Sequence, residues 1–90
     1  MDMRILSIET SCDETAIALL QIEGTSDSPQ IKTIANEIYS QAKLHEEFGG
    51  VFPTLAKREH QKNLPILLDK VLKDAGEPED KPNIDFIAVT

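Results

Sequence analysis

Cysteine occurs once in these 90 residues, as Cys12, so no disulfide can form within the chain. A lone thiol fits a reducing compartment, and the cytoplasm is the expected location. No apolar run reaches transmembrane length, and no basic-then-apolar segment marks the start as a secretory signal. Cations are scarce, with nine Lys and Arg against sixteen Asp and Glu and a net charge of −7. Such a surface repels a nucleic-acid backbone, so any RNA partner has to be held mainly by surfaces outside these residues. Internal repeats and low-complexity segments are absent too. With 40% hydrophobic residues the chain is not disordered by composition, and its length suits one domain or part of one.

Apolar runs at Met3–Ile8 and Thr15–Ile22 have strand length. The second carries Ala16, Ile17, Ala18, Leu19 and Leu20 without alternation, which predicts a central strand covered on both faces. Turn residues fill 24–29, and Ile31–Tyr39 returns with Lys32, Thr33, Asn36 and Glu37 among its isoleucines, as an edge strand does. Three strands with short links predict an antiparallel meander. Gly49-Gly50 permits positive φ or a close backbone approach. Pro53 suits the first position of a helix running to Asn63, and Pro65 has to kink that helix or begin another. Leu64, Leu67, Leu68, Val71, Leu72 and Ala75 then make one apolar stripe, with Gly76 and Pro78 as stop signals. After a charged connector over 77–83, Ile84–Val89 reads as a buried fourth strand, parallel to the first through a right-handed crossover. The order strand, strand, strand, helix, strand is half of an α/β lobe, and the chain is expected to be a fragment of a larger protein.

Between the first two strands lies Ile8-Glu9-Thr10-Ser11-Cys12-Asp13-Glu14-Thr15. Short polar side chains turn a chain by bonding to nearby backbone groups. The segment is either an ordinary polar hairpin turn or a turn that aims N–H groups and hydroxyls at a phosphate, with carboxylates for a cation.

This segment, together with Ser40-Gln41, His45, Phe48-Gly49-Gly50-Val51, Pro53, Ala56, Arg58 and His60, resembles the start of the TsaD family. Those proteins are tRNA adenosine threonylcarbamoyltransferases, formerly described as O-sialoglycoprotein endopeptidases. The resemblance covers nearly the whole chain. It implies an α/β, ribonuclease-H-like half lobe of the actin-like ATPase superfamily (β-β-β-α-β), with three antiparallel strands plus a parallel fourth. The implied reaction carries a threonylcarbamoyl group from its anhydride with AMP to the exocyclic amine of the adenosine beside the anticodon, in tRNAs reading ANN codons.

Carried over by residue, the resemblance implies that Asp13 and Glu14 are catalytic, and Ser11 and Cys12 become the candidate nucleotide contacts. A carboxylate there would take or orient the amine proton, or set a cation against the departing phosphate. Threonylcarbamoyl-AMP or ATP is the implied nucleotide. A divalent metal, iron or zinc, is implied as well, with its ligands outside this chain. His45 and His60 are not at a recognised metal-ligand spacing and are expected to be hydrogen-bonding residues of loop and helix. Implied partners are tRNA, a paralogous scaffold subunit and an accessory ATPase. The chain alone is expected to be inactive.

Thr54 stands where the family commonly has glutamate, Lys57 replaces a small residue, and the Ser26–Gln30 loop is longer than in compact members. Cys12 has no base near it in sequence and is read as a small hydrophobe before a nucleophile. Arg58 suits either a phosphate or tRNA contact or a helix-surface ion pair. Two other functions compete. A non-catalytic scaffold paralogue would lack Cys12-Asp13-Glu14-Thr15 and Phe48-Gly49-Gly50, both present here. A metal-dependent glycopeptidase would need a hydrolytic zinc site that these residues do not supply.

Overall fold

A computed structural model describes residues 2–90. Strand β1 spans Met3–Glu9, β2 Glu14–Gly24, β3 Pro29–Ser40 and β4 Phe86–Val89; helix α1 spans Ala42–Glu46 and α2 Pro53–Ala75. The sheet runs β3-β2-β1-β4. Strands β1, β2 and β3 pair antiparallel in sequence order, with Leu6 opposite Leu19 and Ile17 opposite Glu37. Strand β4 pairs parallel with β1, Ile5 opposite Phe86 and Ile8 opposite Val89. The meander and the parallel fourth strand are those the sequence implied, so this is the β-β-β-α-β half lobe.

One face of the sheet is dry. Alternate residues of β1 and β2 bring Leu6, Ile17 and Leu19 under α2, where they meet Leu67 and Val71. The register slips once between Leu19 and Leu20, inserting Ile34 into β3. Such a bulge puts an extra residue on one strand, and here both Ile34 and Ala35 reach the core. Helix α2 packs on β2 and β3, which leaves the other face and the β4 edge open. The expected covering on both faces of β2 is therefore corrected: Thr15, Ile17 and Leu19 are buried, while Ala16, Ala18 and Leu20 are half-buried on the open face. Strand β4 is corrected as well. It lies at the sheet edge with Ile87 64% and Val89 70% exposed, because α2 crosses the other half of the sheet.

Helix α2 is one 23-residue element, about 35 Å long. Pro53 opens it behind the extended Phe52, and Ala56 N–H closes the first turn on Phe52 O at 3.0 Å. Gly76 closes it in the left-handed region (φ 73°), with Glu77 N–H on Leu72 O at 2.9 Å. Pro65 neither ends the helix nor starts a second one. It and Gln61, whose carbonyl loses its helical partner, both lie on the exposed side of the helix, where that carbonyl is open to solvent. The short helix α1 was not anticipated in the sequence.

The connector after α2 is pinned to the base of the sheet. Glu77 accepts hydrogen bonds from the Arg4 guanidinium and from Asn83 N–H (3.1 Å), and Asp85 takes Arg4 N–H at 2.8 Å.

Of the apolar stripe, Leu67, Val71 and Leu72 are buried and Leu68 is half-buried. Leu67→Ala should cost about 2–5 kcal/mol in chemical denaturation, and Leu68→Ala less. Substitutions at exposed Lys70, Lys73 and Asp74 should stay within about 0.5 kcal/mol. Asn63 buries an Nδ2 that has no hydrogen-bond partner among the described residues. Its truncation should therefore be milder than that of Leu67, and an unchanged denaturation midpoint for Leu67→Ala would contradict the packing.

Candidate functional site

The turn joining β1 to β2 runs from Thr10 to Asp13. Cys12 sits at φ 51°, the left-handed region, where no other described residue except glycine is found. A side chain there costs about 1–2 kcal/mol, so surrounding bonds have to hold it.

They come from three directions. From the strand before, Glu9 Oε1 accepts the N–H of Ser11 at 2.8 Å and also its hydroxyl. Glu9 Oε2 accepts the Thr90 hydroxyl at 2.5 Å, while Thr90 N–H reaches Ile8 O at 3.1 Å, so the turn is tied to the end of β4. From α2, buried His60 places Nε2 3.0 Å from Cys12 O and Nδ1 2.7 Å from Thr15 Oγ1. From the far end of β3, Gln41 N–H donates to Asp13 O at 2.7 Å. Gln41 is itself buried, its side chain held between His45 Nε2 (2.6 Å) and Ala56 O (3.4 Å). His45 Nδ1 takes the N–H of Phe52 at 3.0 Å. With Glu14 N–H on Ser11 O at 3.4 Å, the carbonyls of Ser11, Cys12 and Asp13 are all occupied.

The side chains of Asp13 and Glu14 have no hydrogen-bond or ion-pair partner among the described residues. Asp13 is half-buried and Glu14, the first residue of β2, is exposed. Open clefts flank the turn; Asp13 lines one of them and Glu14 lines neither. One, of about 360 Å³, is lined by Asp13, Ala42, His45, Glu46, Gly49, Gly50 and Val51. The other, of about 470 Å³, is lined by Thr10, Cys12, Val51, Pro53, Ala56, Lys57 and His60. A further depression of about 350 Å³ lies at the opposite end of the sheet around Arg4 and Asp85. Arg4 there is paired with Glu77, and Asp85 already accepts Arg4 N–H, so its main polar groups are satisfied.

The structure thus places Ser11, Cys12 and Asp13 on one turn and Glu14 directly after it, as the first residue of β2. It commits the N–H and hydroxyl of Ser11 to Glu9 and leaves the Cys12 thiol exposed. Both histidines are hydrogen-bonding residues, each through both ring nitrogens. No group of three His, Cys, Asp or Glu is arranged to hold a metal among the described residues. The described residues therefore do not fit the implied metal. Arg58 is exposed and in no ion pair among the described residues, so the helix-surface pair does not form. It lines a shallow groove with Thr54 and the stacked rings of Phe48 and Phe52, 5.1 Å apart. The β2–β3 connection, residues 25–28, is a short turn at the end of the sheet away from this site, and Pro29 and Gln30 belong to β3. Of the unusual positions, only Lys57 lines a cleft at the turn.

Sequence reasoning missed the clamps. An acid followed two residues later by serine is the local signal for Glu9, since short side chains bond backbone at that separation. Gln41 and His60 gave none, being distant in sequence from the groups they hold.

The family profile described as TsaD, tRNA N6-adenosine threonylcarbamoyltransferase, matches residues 32–90. Curated relatives of the same name include the Persephonella marina protein, 47% identical over 88 residues. That alignment takes in 98% of this chain and 23% of the relative. The Thermus thermophilus protein is 44% identical over 89 residues, covering 98% and 24%. The Francisella tularensis subsp. novicida protein is 46% identical over 88 residues, covering 98% and 24%. The chain spans about a quarter of the length of these relatives.

Hydrogen bonds from Ser11 and Thr90 hold the Glu9 carboxyl down to about 2, well below the usual 4.5. A depressed carboxyl stabilises the fold above its unfolded value and ceases to as pH falls through its folded one. The Glu9 clamp should therefore be intact above pH 4.5 and open only as pH approaches 2. A carboxyl carbon NMR titration should give Glu9 the low midpoint, and Ser11→Ala should raise it. A midpoint near 4.5 in the unmodified protein would refute the clamp.

Proposed function

We propose, from the premise that the chain belongs to the TsaD family, tRNA N6-adenosine threonylcarbamoyltransferase, that the whole protein carries out that transfer on tRNA. The donor is threonylcarbamoyl-AMP and the acceptor the exocyclic amine of the adenosine beside the anticodon, in tRNAs reading ANN codons. The amine nitrogen bonds to the carbamoyl carbon, the bond from that carbon to the AMP phosphate oxygen breaks, and the amine gives up one proton. AMP leaves with the electron pair.

One observation carries the reading for this chain. Asp13 and Glu14, at the end of the turn and the start of β2, present carboxylates without partners among the described residues, on backbone held at every carbonyl from Ser11 to Asp13. A held backbone restricts where the carboxylates can go and leaves them free to meet a substrate, which is what electrostatic and acid–base catalysis needs of them. An exocyclic amine is a weak nucleophile, and a carboxylate that orients it or takes its proton supplies what it lacks. Asp13 faces the cleft beside Gly49 and Gly50, where glycines let a substrate approach the backbone closely. We assign Ser11 and Cys12 to the nucleotide side of the turn. A nucleotide phosphate at Ser11 would compete with Glu9 for its N–H and hydroxyl.

The iron or zinc of the family belongs, in this reading, to residues elsewhere in the whole protein. The tRNA, a paralogous scaffold subunit and an accessory ATPase are proposed as partners that bind mostly outside this chain, in the cytoplasm. No helix is long and apolar enough to cross a membrane among the described residues. A scaffold paralogue would have no use for two carboxylates left without partners among the described residues beside a held turn.

In the full-length protein, Asp13→Ala and Glu14→Ala should each slow tRNA modification by roughly a hundredfold or more. Melting temperatures should hardly move, because neither carboxylate supports the core. Cys12→Ser should be far milder. Wild-type rates in either alanine variant would remove that residue from the mechanism, and abolition by Cys12→Ser would bring the thiol into it.

A further inference from the structure

The geometry points to His60 as the positioning residue of the acidic turn, acting through the Cys12 carbonyl in its Nε2–H tautomer. The inference rests on the transferase reading and adds to it a residue that touches no substrate.

A carbonyl oxygen only accepts, so the contact of 3.0 Å to Cys12 O requires the proton on His60 Nε2. Nδ1 is then the acceptor in the contact of 2.7 Å to Thr15, whose hydroxyl donates. Thr15 is fully buried in β2 and His60 is 9% exposed on α2. The ring therefore ties three segments together: the helix, the start of β2 and the turn between them. Its grip falls on the peptide group that follows Cys12, the one described non-glycine residue at positive φ. That peptide group sets the direction of the Asp13 Cα–Cβ bond, whereas Glu14 is held in β2 opposite Ser40. Without the donor, nothing from α2 opposes relaxation of Cys12 toward an ordinary backbone conformation, and the Asp13 carboxylate swings with it. A displacement of about 1 Å at a reacting group is enough to lose roughly a hundredfold in rate.

Two substitutions in the full-length protein separate positioning from bulk stability. His60→Asn puts an amide where Nδ1 was and keeps a partner for Thr15, but it has no group at the Nε2 position. His60→Gln places its amide N–H at that position. With tRNA and threonylcarbamoyl-AMP as substrates, His60→Asn should lose roughly tenfold to a hundredfold in kcat with KM for tRNA unchanged. His60→Gln should rescue most of that loss, although both variants lower the melting temperature alike. The exposed Cys12 thiol reports on the turn independently of activity. Its alkylation rate should change in His60→Asn and return toward wild type in His60→Gln.

Equal losses of kcat in the two variants, tracking the fall in melting temperature, would overturn the proposal in favour of a merely structural histidine. So would a His60→Asn protein with wild-type kcat and wild-type Cys12 alkylation. If the unmodified protein fails to modify tRNA, the transferase reading falls by itself, and the alkylation rates still decide the role of His60. If His60→Asn does not fold, side-chain ¹⁵N NMR of the unmodified protein decides. An Nε2–H tautomer sustains the inference, and an Nδ1–H tautomer ends it.

Discussion

A single buried imidazole joins the layers of this molecule at the point where chemistry is expected. His60 reaches from α2 to Thr15 on β2 and to the carbonyl of Cys12 in the turn. Burying a polar ring is unfavourable unless its nitrogens are satisfied, and here both are. The dependence runs both ways. The ring is stable in the core because the turn and the strand supply an acceptor and a donor, and the turn keeps its left-handed residue because the ring is there. Glu9 and Gln41 hold the turn in the same manner from β1 and from the end of β3. The carbonyls of Ser11, Cys12 and Asp13 are bound, and the carboxylates of Asp13 and Glu14 have no partner among the described residues.

Much of the fold was legible because it follows from periodicity and punctuation. The meander, the edge position of β3, the helix start at Pro53 and the stop at Gly76 each carry a local signal, and each was found in place. What went unread depends on which element lies against which. The apolar run ending at Val89 records a preference for burial and does not say what would bury it; α2 crosses β2 and β3 instead. Of the two outcomes the sequence allows at Pro65, a kink or the start of a new helix, the second does not occur. A proline whose lost hydrogen bond falls on the wet side of a helix is tolerated, and only the packed structure shows which side that is. The left-handed backbone of Cys12 carried no mark, since asparagine or glycine would have announced it and cysteine does not.

The acidic turn itself was visible as a short polar interruption between two apolar strands; Asp13 lies in it and Glu14 begins β2. Two of the residues that support it, Gln41 and His60, are separated from it by much of the chain. His60 was noticed as a motif residue and expected to form hydrogen bonds, but a sequence gives no partner for a bond that spans 48 positions. Supporting contacts of this kind link residues that the topology brings together, so they become readable only once α2 has been laid across the sheet.

Helix α2 does two jobs on one unbroken rod. Its first half presents Ala56 and His60 to the turn, and its second half supplies Leu67 and Val71 to the core. Because no break at Pro65 divides the halves, local opening at the turn is coupled to the same helix that anchors the sheet. In native-state hydrogen exchange such a segment does not behave as an independent mobile loop. The amide of Gln41, bonded to Asp13 O, should then exchange with the cooperative unit of the core rather than with the fraying periphery. The apparatus that aims the carboxylates therefore shares the lifetime of the fold.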